Sequence, residues 1–479
     1  MNITLAKATL TLSSTLILAA CSMGPNFIRP EVPAIDWEMK SGSSVRSQPI
    51  AAEVDPAWWD IFHDATLSSL ERRVAATNLD LQSASSRLLQ SRAILGVATG
   101  ATLPAIDAKG RYQRQQTTTE GRFDPSGQGG NAAFNHWQAG LEASWELDLW
   151  GRVAREVEAN QASVTATEDL RRGVLVAVLG ETARDYIQLR GVQRQKAITQ
   201  ENLDLAKHTQ KLTSSRFNHG VATSLEVSAS LAHVASIEAR LPILAMQESR
   251  LINALSYLIN EPPQALRAEL QMVAMIPQVP DQVPVGLPSE LAQRRPDIRR
   301  AEAELHAATA RIGVAQADFY PRISLSGNVG SEALQLASFG SWNTRYFGIG
   351  PAISLPIFDG GKLRGMLSLR ESQQQEAAIR FQQTVLKAWH EVDDAMTEYS
   401  ANQLQNARLT DALAQAENAL ASARRQYIAG AVDFLSVLTV QKELLSTQEA
   451  TVQSQMAVDL ALVGLYRSLG GGWEKQYPE

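Results

Sequence analysis

The sequence holds a single cysteine, Cys21, in 479 residues, so no disulfide closes within the chain and a multi-cysteine zinc site is excluded. The seven histidines, at 63, 136, 208, 219, 233, 306 and 390, show no HExxH or other close ligand spacing and read as solvated or helix-surface residues. No nucleophile elbow or dinucleotide fingerprint occurs. The one stretch faintly like a phosphate loop, Asp359-Gly360-Gly361-Lys362, has Pro356 where the first glycine of G-x-x-x-x-G-K belongs. No enzymatic role, metal or cofactor is therefore expected. Long Lys/Arg runs are also missing and the net charge is -6, which leaves a nucleic-acid partner without an electrostatic basis. After the first twenty residues no segment offers 18 consecutive apolar residues, so any membrane crossing must be made by β-strands.

What is present begins with an export signal. Lys7 lies in a short leading region, and the mostly apolar run Leu10 to Ala20 is too short to span a bilayer as a mature helix. The run ends Leu18-Ala19-Ala20-Cys21, which resembles the lipobox of bacterial lipoproteins. Cleavage after residue 20 and lipidation of Cys21 are expected, and Ser22 in place of aspartate is the choice that, in the resembling lipoproteins, directs them to the outer membrane.

The chain is written twice. Leu95-Gly96-Val97-Ala98 recurs as Ile312-Gly313-Val314-Ala315, and at the same offset Asp80, Leu88, Pro104 and Gly110 return as Asp297, Leu305, Pro321 and Gly327. At a slightly shorter offset Gly151, Glu181, Gly220 and Leu225 return as Gly361, Glu391, Gly430 and Leu435. The change falls between Gly110 and Ser144, in a Gly-, Thr- and Gln-rich stretch suited to an exposed loop. Glu261 to Pro288 separates the copies, and its prolines forbid regular helix or central strand. The resulting partition is a signal peptide (1–20), a lipidated N-terminal segment (21–66), a first repeat (67–260), a Pro-rich linker (261–288), a second repeat (289–470) and a tail (471–479). Each repeat reads helix, strand, polar loop, strand, very long helix, tight turn, helix.

From Trp137 to Leu149 apolar and polar residues alternate with a period of two, and the repeat partner does the same from Phe347 to Ile357. A third such strand starts at Pro321 and its counterpart at Pro104. These lengths suit transmembrane strands of roughly 9 to 11 residues. A closed barrel needs about eight strands or more, and an open edge cannot sit in hydrocarbon, so one chain cannot enclose a pore and several copies must.

No proline interrupts Arg152 to Asn218 or Lys362 to Ile428, so each can be one helix on the order of 100 Å long. Leu409, Leu413, Ala416, Leu420, Ala423 and Tyr427 step by four and three, the seam of a coiled coil. Each long helix ends at a glycine, Gly220 or Gly430, where the chain can reverse into a hairpin. Pro242 is expected to kink the first return helix and has no counterpart at Thr451.

Gly286-Leu287-Pro288-Ser289, Arg294-Arg295-Pro296-Asp297-Ile298 and Ala301-Glu302 resemble the outer-membrane factor family, the TolC-like channels. Met23-Gly24-Pro25-Asn26, Trp58-Trp59, Leu147-Asp148-Leu149-Trp150-Gly151-Arg152, Phe358-Asp359-Gly360-Gly361 and the ending Leu465 to Trp473 extend the likeness over the chain, toward the NodT/OprM-type lipoproteins of resistance-nodulation-division pumps. The resemblance implies a mainly α fold with a transmembrane β part: a homotrimer with a twelve-stranded barrel, four strands per chain, continued by a long α-helical coiled-coil barrel through the periplasm. It implies an equatorial girdle built from the linkers and termini. It also implies a lipid-anchored outer-membrane location, a periplasmic adaptor, and an inner-membrane resistance-nodulation-division transporter that supplies the energy. At the closed end Leu435 matches the family's constricting leucine and Leu225 is its repeat mate. Thr439 stands where the family often has aspartate, Glu226 or Asp433 is left to supply charge, and Lys442 matches a basic gate residue. Adaptor docking would use Gly220, Val221, Ala222, Gly430, Ala431 and Val432. The expected function is an exit duct for small molecules such as drugs. Ducts for metal ions or type I secreted protein are the transport alternatives, and a pore-less structural coiled-coil lipoprotein is the alternative of another class.

Overall fold

A computed structural model describes residues 22–31, 47–50, 52, 55–116, 133–272, 275–285 and 294–474. The signal segment, Cys21, and the motif around Pro288 and Ser289 lie outside the described residues. The chain divides into two compact units: residues 1–30, 88–167 and 301–381, and residues 31–87, 168–300 and 382–479.

The first unit is built on a four-stranded antiparallel sheet of β2 (Ala105–Gln115), β3 (Phe134–Leu147), β5 (Arg322–Ala333) and β6 (Arg345–Ser354), in that order. The register pairs Gly140 with Gly330 and Asn328 with Gly348, which gathers Asp107, Lys109, Glu142, Ser144, Ser326 and Asn328 on one face. Leu141, Trp145, Leu325, Phe347 and Ile353 share the other. Phe347 and Ile349 are 86% and 78% exposed, so along β6 nothing among the described residues covers this apolar face. Tyr346 lies across Gly140 and Gly330 on the polar face, where a β-carbon at either glycine would come within 2.9 Å of its ring or hydroxyl. Its hydroxyl accepts a hydrogen bond from Gln138 Nε2 at 3.2 Å.

The residues after Cys21 are pinned to this unit. Met23 N donates to Trp150 O at 3.0 Å, and the Arg155 guanidinium reaches Met23 O at 3.1 Å and Asn26 Oδ1 at 2.6 Å. Gly24, at φ +90°, passes so near Gly313 that a β-carbon would lie 2.4 Å from its Cα. Phe27 stacks on His306 at 4.4 Å, and Arg29 pairs with Glu302 at 2.9 Å.

The second unit is helical around one large core. Asp64 caps α1 (Ala65–Thr77) by accepting from Thr66 N and Leu67 N, and Trp58, Trp59 and Phe62 of the preceding 3-10 turn are buried beside Leu67, Leu70, Tyr186 and Leu465. Asn78 separates α1 from α2 (Leu79–Gly100); the sequence pattern reads as one helix there, whereas the second repeat keeps a single opening helix, α7 (Pro296–Ala317). The long helices are α3 (Arg152–Asn218) and α8 (Lys362–Ile428), 67 residues each. The first return path is split into α4 (Ser224–Glu238) and α5 (Leu241–Leu258), with Pro242 in the first turn of α5, whereas α9 (Phe434–Leu469) is unbroken.

The Pro-rich linker is not wholly irregular. Its longest proline-free stretch carries the single turn α6 (Arg267–Leu270), and β4 (Gln282–Pro284) pairs in parallel with β1 (Gln48–Ile50) as a two-stranded ribbon in which each strand is an edge. At the C-terminus Trp473 lies between the Arg172 and Arg299 guanidinium groups, 4.7 and 5.2 Å from its ring, and both arginines bind Asp169 Oδ1.

Candidate functional site

The two hairpin tips turn by one device. Gly220 and Gly430 have φ of +71° and +74°, values glycine adopts without strain. Val221 N donates back to Arg216 O and Ala431 N to Gln426 O, both at 2.9 Å, the six-to-one bond that ends a helix at a left-handed glycine. Nothing lies within 4 Å of a β-carbon built at either glycine, so backbone conformation and not crowding demands glycine. Val221 and Ala431 are exposed, while Ala222 and Val432 are half-buried.

The next helices start on matching caps. Thr223 and Glu226 form a capping box, with Glu226 Oε2 accepting from Thr223 N at 2.6 Å, and Asp433 caps α9 by accepting from Ser436 N at 2.8 Å. The Ser436 hydroxyl and amide hold the Asp433 carboxyl below the usual carboxylate range. The two carboxylates expected near the gate are thus fixed at helix starts, where the macrodipole favours negative charge.

Leu435 and Leu225 occupy the first turns of α9 and α4 and are 38% and 63% exposed. Thr439 donates its hydroxyl to Leu435 O at 2.9 Å, a bond internal to the helix. Lys442 is exposed on the same helix and acts electrostatically on His233 of α4.

The repeats part company in what joins the tips. Arg216 of the first hairpin stacks over Tyr427 of the second at 4.8 Å, and Tyr427 leans on the buried Phe434 at 6.0 Å. Their repeat mates, Gln426, Phe217 and Ser224, cannot form the same chain of contacts. His233 is buried with both ring nitrogens unpartnered, and burial, then Lys442 and Arg240, push its pKa down. Among these residues only Tyr427 carries a sequence signal, its place on the coiled-coil seam; Arg216, Phe434 and His233 are set by contacts between repeats. Among the described residues no group of three or more His, Cys, Asp or Glu side chains is placed to hold a metal ion.

A family model described as outer membrane efflux protein matches residues 70–260 and 287–471. The chain belongs to this family. It is 32% identical over 465 residues to the pyoverdine export outer membrane protein OpmQ of Pseudomonas aeruginosa, covering 97% of this chain and 96% of the relative. The outer membrane protein OprJ of the same organism is 31% identical over 464 residues, covering 96% and 95%. In three dimensions the outer-membrane channel OprN is similar, with a TM-score of 0.89 at 31% identity over 95% of this chain and 100% of that one. An outer-membrane efflux protein with a TolC-like channel fold accounts for the exposed apolar sheet face and the hairpin-tipped helices together.

Proposed function

We propose that three copies of this chain enclose one conduit, each giving four strands to a twelve-stranded barrel in the outer membrane and two helical hairpins to a tunnel in the periplasm. One observation carries the reading: the sheet has a polar face, an exposed apolar face, and two edge strands, β2 and β6, whose outer sides pair with no further strand among the described residues. Such a sheet is stable in lipid only when its edges close on other copies. The polar face then lines a water-filled passage and Leu141, Phe347 and Ile349 meet lipid.

The repeats 67–260 and 289–470 would each supply two strands and one tip. Small molecules are the cargo class we favour, since OpmQ is named for export of the small molecule pyoverdine; metal ions and secreted protein remain the competing cargoes. An energised inner-membrane transporter of the resistance-nodulation-division type and a periplasmic adaptor complete the pump, the adaptor seating on Gly220, Val221, Ala222, Gly430, Ala431 and Val432. Leu435 and Leu225 narrow the closed end, with Thr439, Glu226, Asp433 and Lys442 around them. Cys21 carries the lipid, and the strap from Met23 to Arg29 supports this by fixing the residues that follow it against Trp150 and Arg155.

Cross-linking and planar-bilayer conductance of the purified protein test the reading. A cross-linked trimer that conducts is expected. A monomer in lipid without conductance overturns it. Replacing Cys21 by Ser should abolish incorporation of labelled palmitate, and persistent label refutes the lipid assignment alone.

A further inference from the structure

Charge is distributed unevenly over the sheet. Asp107, Lys109, Arg111, Glu142, Glu146 and Glu332 all lie on the polar face, where Lys109 pairs with Glu142 at 2.5 Å. The apolar face carries two charged residues among the described strand positions, and both are arginines: Arg114 at the end of β2 and Arg345 at the start of β6. Both sit at the loop end of the sheet, away from the strand ends that lead to the long helices.

Neither arginine meets a carboxylate among the described residues. Arg114 Nη1 donates to Asn135 Oδ1 at 3.2 Å, an oxygen that also accepts from Tyr112 OH at 3.2 Å. Arg345 stacks over Trp342 at 4.1 Å, and Trp342 is itself largely exposed. A guanidinium on a lipid-facing surface costs little near the interface but gains nothing there without an anion. The planar fork matches phosphate oxygens two at a time, and aromatic rings beside it suit the boundary between head groups and acyl chains.

We propose that Arg114 and Arg345 bind the phosphate of a phosphorylated lipid head group in the outer leaflet. The inference rests on the barrel reading. Closure sets the β6 edge of one copy beside the β2 edge of the next, so the two arginines, on opposite edges of one sheet, flank the same seam between copies. The complementarity is of charge as well as place: the other strand residues of this face are uncharged, and among the described residues its two cations meet no carboxylate.

The test uses the full-length protein in nanodiscs, with native mass spectrometry of retained lipid. Two probes are offered together, a doubly phosphorylated lipid A and the same lipid with its phosphates removed. Wild type should retain the phosphorylated form about tenfold more. The double variant R114Q/R345Q should lose the preference, while R111Q, on the polar face, should keep it. Equal retention of both lipids by wild type overturns the proposal, as does a preference that survives R114Q/R345Q or is lost equally in R111Q. Should the double variant fail to insert, the wild-type comparison still decides. Cross-linking and conductance on the same sample separate the two readings: a conducting trimer without lipid preference sinks only the lipid site, whereas absence of a trimer removes the seam and the conduit together.

Discussion

Asn78 and Arg295 occupy matching places in the two repeats, and each donates a side-chain hydrogen bond to the end of its own repeat's return helix. Asn78 Nδ2 reaches Leu258 O at 2.9 Å, and Arg295 Nη1 reaches Ser468 O at 2.7 Å. The duplication has kept the bond and changed the donor. Asn78 spends its oxygen on capping α2 through Asp80 N and Leu81 N, whereas Arg295 spends its remaining nitrogens on Asp297 and Glu391. A carbonyl at a helix end has no partner within the helix, so both side chains satisfy an acceptor that would otherwise be buried unpaired.

Replacement of either by alanine should therefore destabilise the protein, unequally. Asn78→Ala removes a cap and a carbonyl partner, a loss of about 1–3 kcal/mol. Arg295→Ala strands the Ser468 carbonyl and leaves Asp297 and Glu391 without their shared cation. Because both carboxylates keep partial solvent contact, the cost should sit near the lower end of the range for breaking a buried pair, about 3 kcal/mol. Chemical denaturation midpoints of the two variants check this, and an Arg295→Ala variant no weaker than Asn78→Ala would count against it.

Glu71 presents the opposite case, a carboxyl fully buried in α1 with neither oxygen hydrogen-bonded. Burial alone pushes its pKa well above the ordinary 4.5, so the folded protein holds a proton that the unfolded chain releases. Stability from this site is greatest below pH 4.5 and declines as pH rises from there toward the raised folded value. Glu71→Met should raise the melting temperature, by more at pH 8 than at pH 4.5, with a gain of about 1–3 kcal/mol, the cost of a buried polar group left without a partner. Equal shifts at both pH values would show that Glu71 is not held protonated.

His233 titrates in the other direction. Its folded pKa is lowered by burial first and by Lys442 and Arg240 second, so the folded protein stays neutral while the unfolded chain gains a proton as pH falls through 6.5. Acidification from pH 7.5 to 5.5 should lower the melting temperature of wild type through this site. His233→Leu should remove that part of the acid sensitivity, and a variant with the full wild-type slope would show that other groups govern it. Arg240 also contacts Glu449, so one of the two cations acting on the ring is itself paired with a carboxylate of α9.

Much of the architecture could be read from the sequence because it is periodic. Alternation marked β3 and β6, the absence of proline marked α3 and α8, and glycine marked both tips. The ends were less legible, since single side chains set them. Alternation runs on to Leu149, yet β3 stops at Leu147 because Asp148 turns to accept from Val153 N and Ala154 N and starts α3. In the second repeat Leu355 and Ile357 continue the pattern past Ser354, where Pro356 lacks a donor and Asp359 binds Gly361 N and Leu363 N. The Arg216–Tyr427–Phe434 chain and the buried His233 depend on how one repeat packs on the other, for which a one-dimensional pattern holds no signal.

The tips supply the last prediction. Leu435 stands in the first turn of α9 with its side chain partly exposed, and no acidic residue follows four positions later; Thr439 is there instead, with its hydroxyl bonded to the backbone of its own helix. If the tips close the conduit as proposed, an end made this way would rely on an apolar constriction at the leucines, which bars ions by excluding water. Leu435→Ser should wet the constriction and raise single-channel conductance several-fold in planar bilayers. Leu225→Ser should act in the same direction, because Leu225 holds the matching place on the other hairpin. Thr439→Val should leave conductance unchanged, since the hydroxyl it removes is already spent on Leu435 O. An increase with Thr439→Val but none with Leu435→Ser would move the gate from the leucines to the threonine position and reverse the assignment.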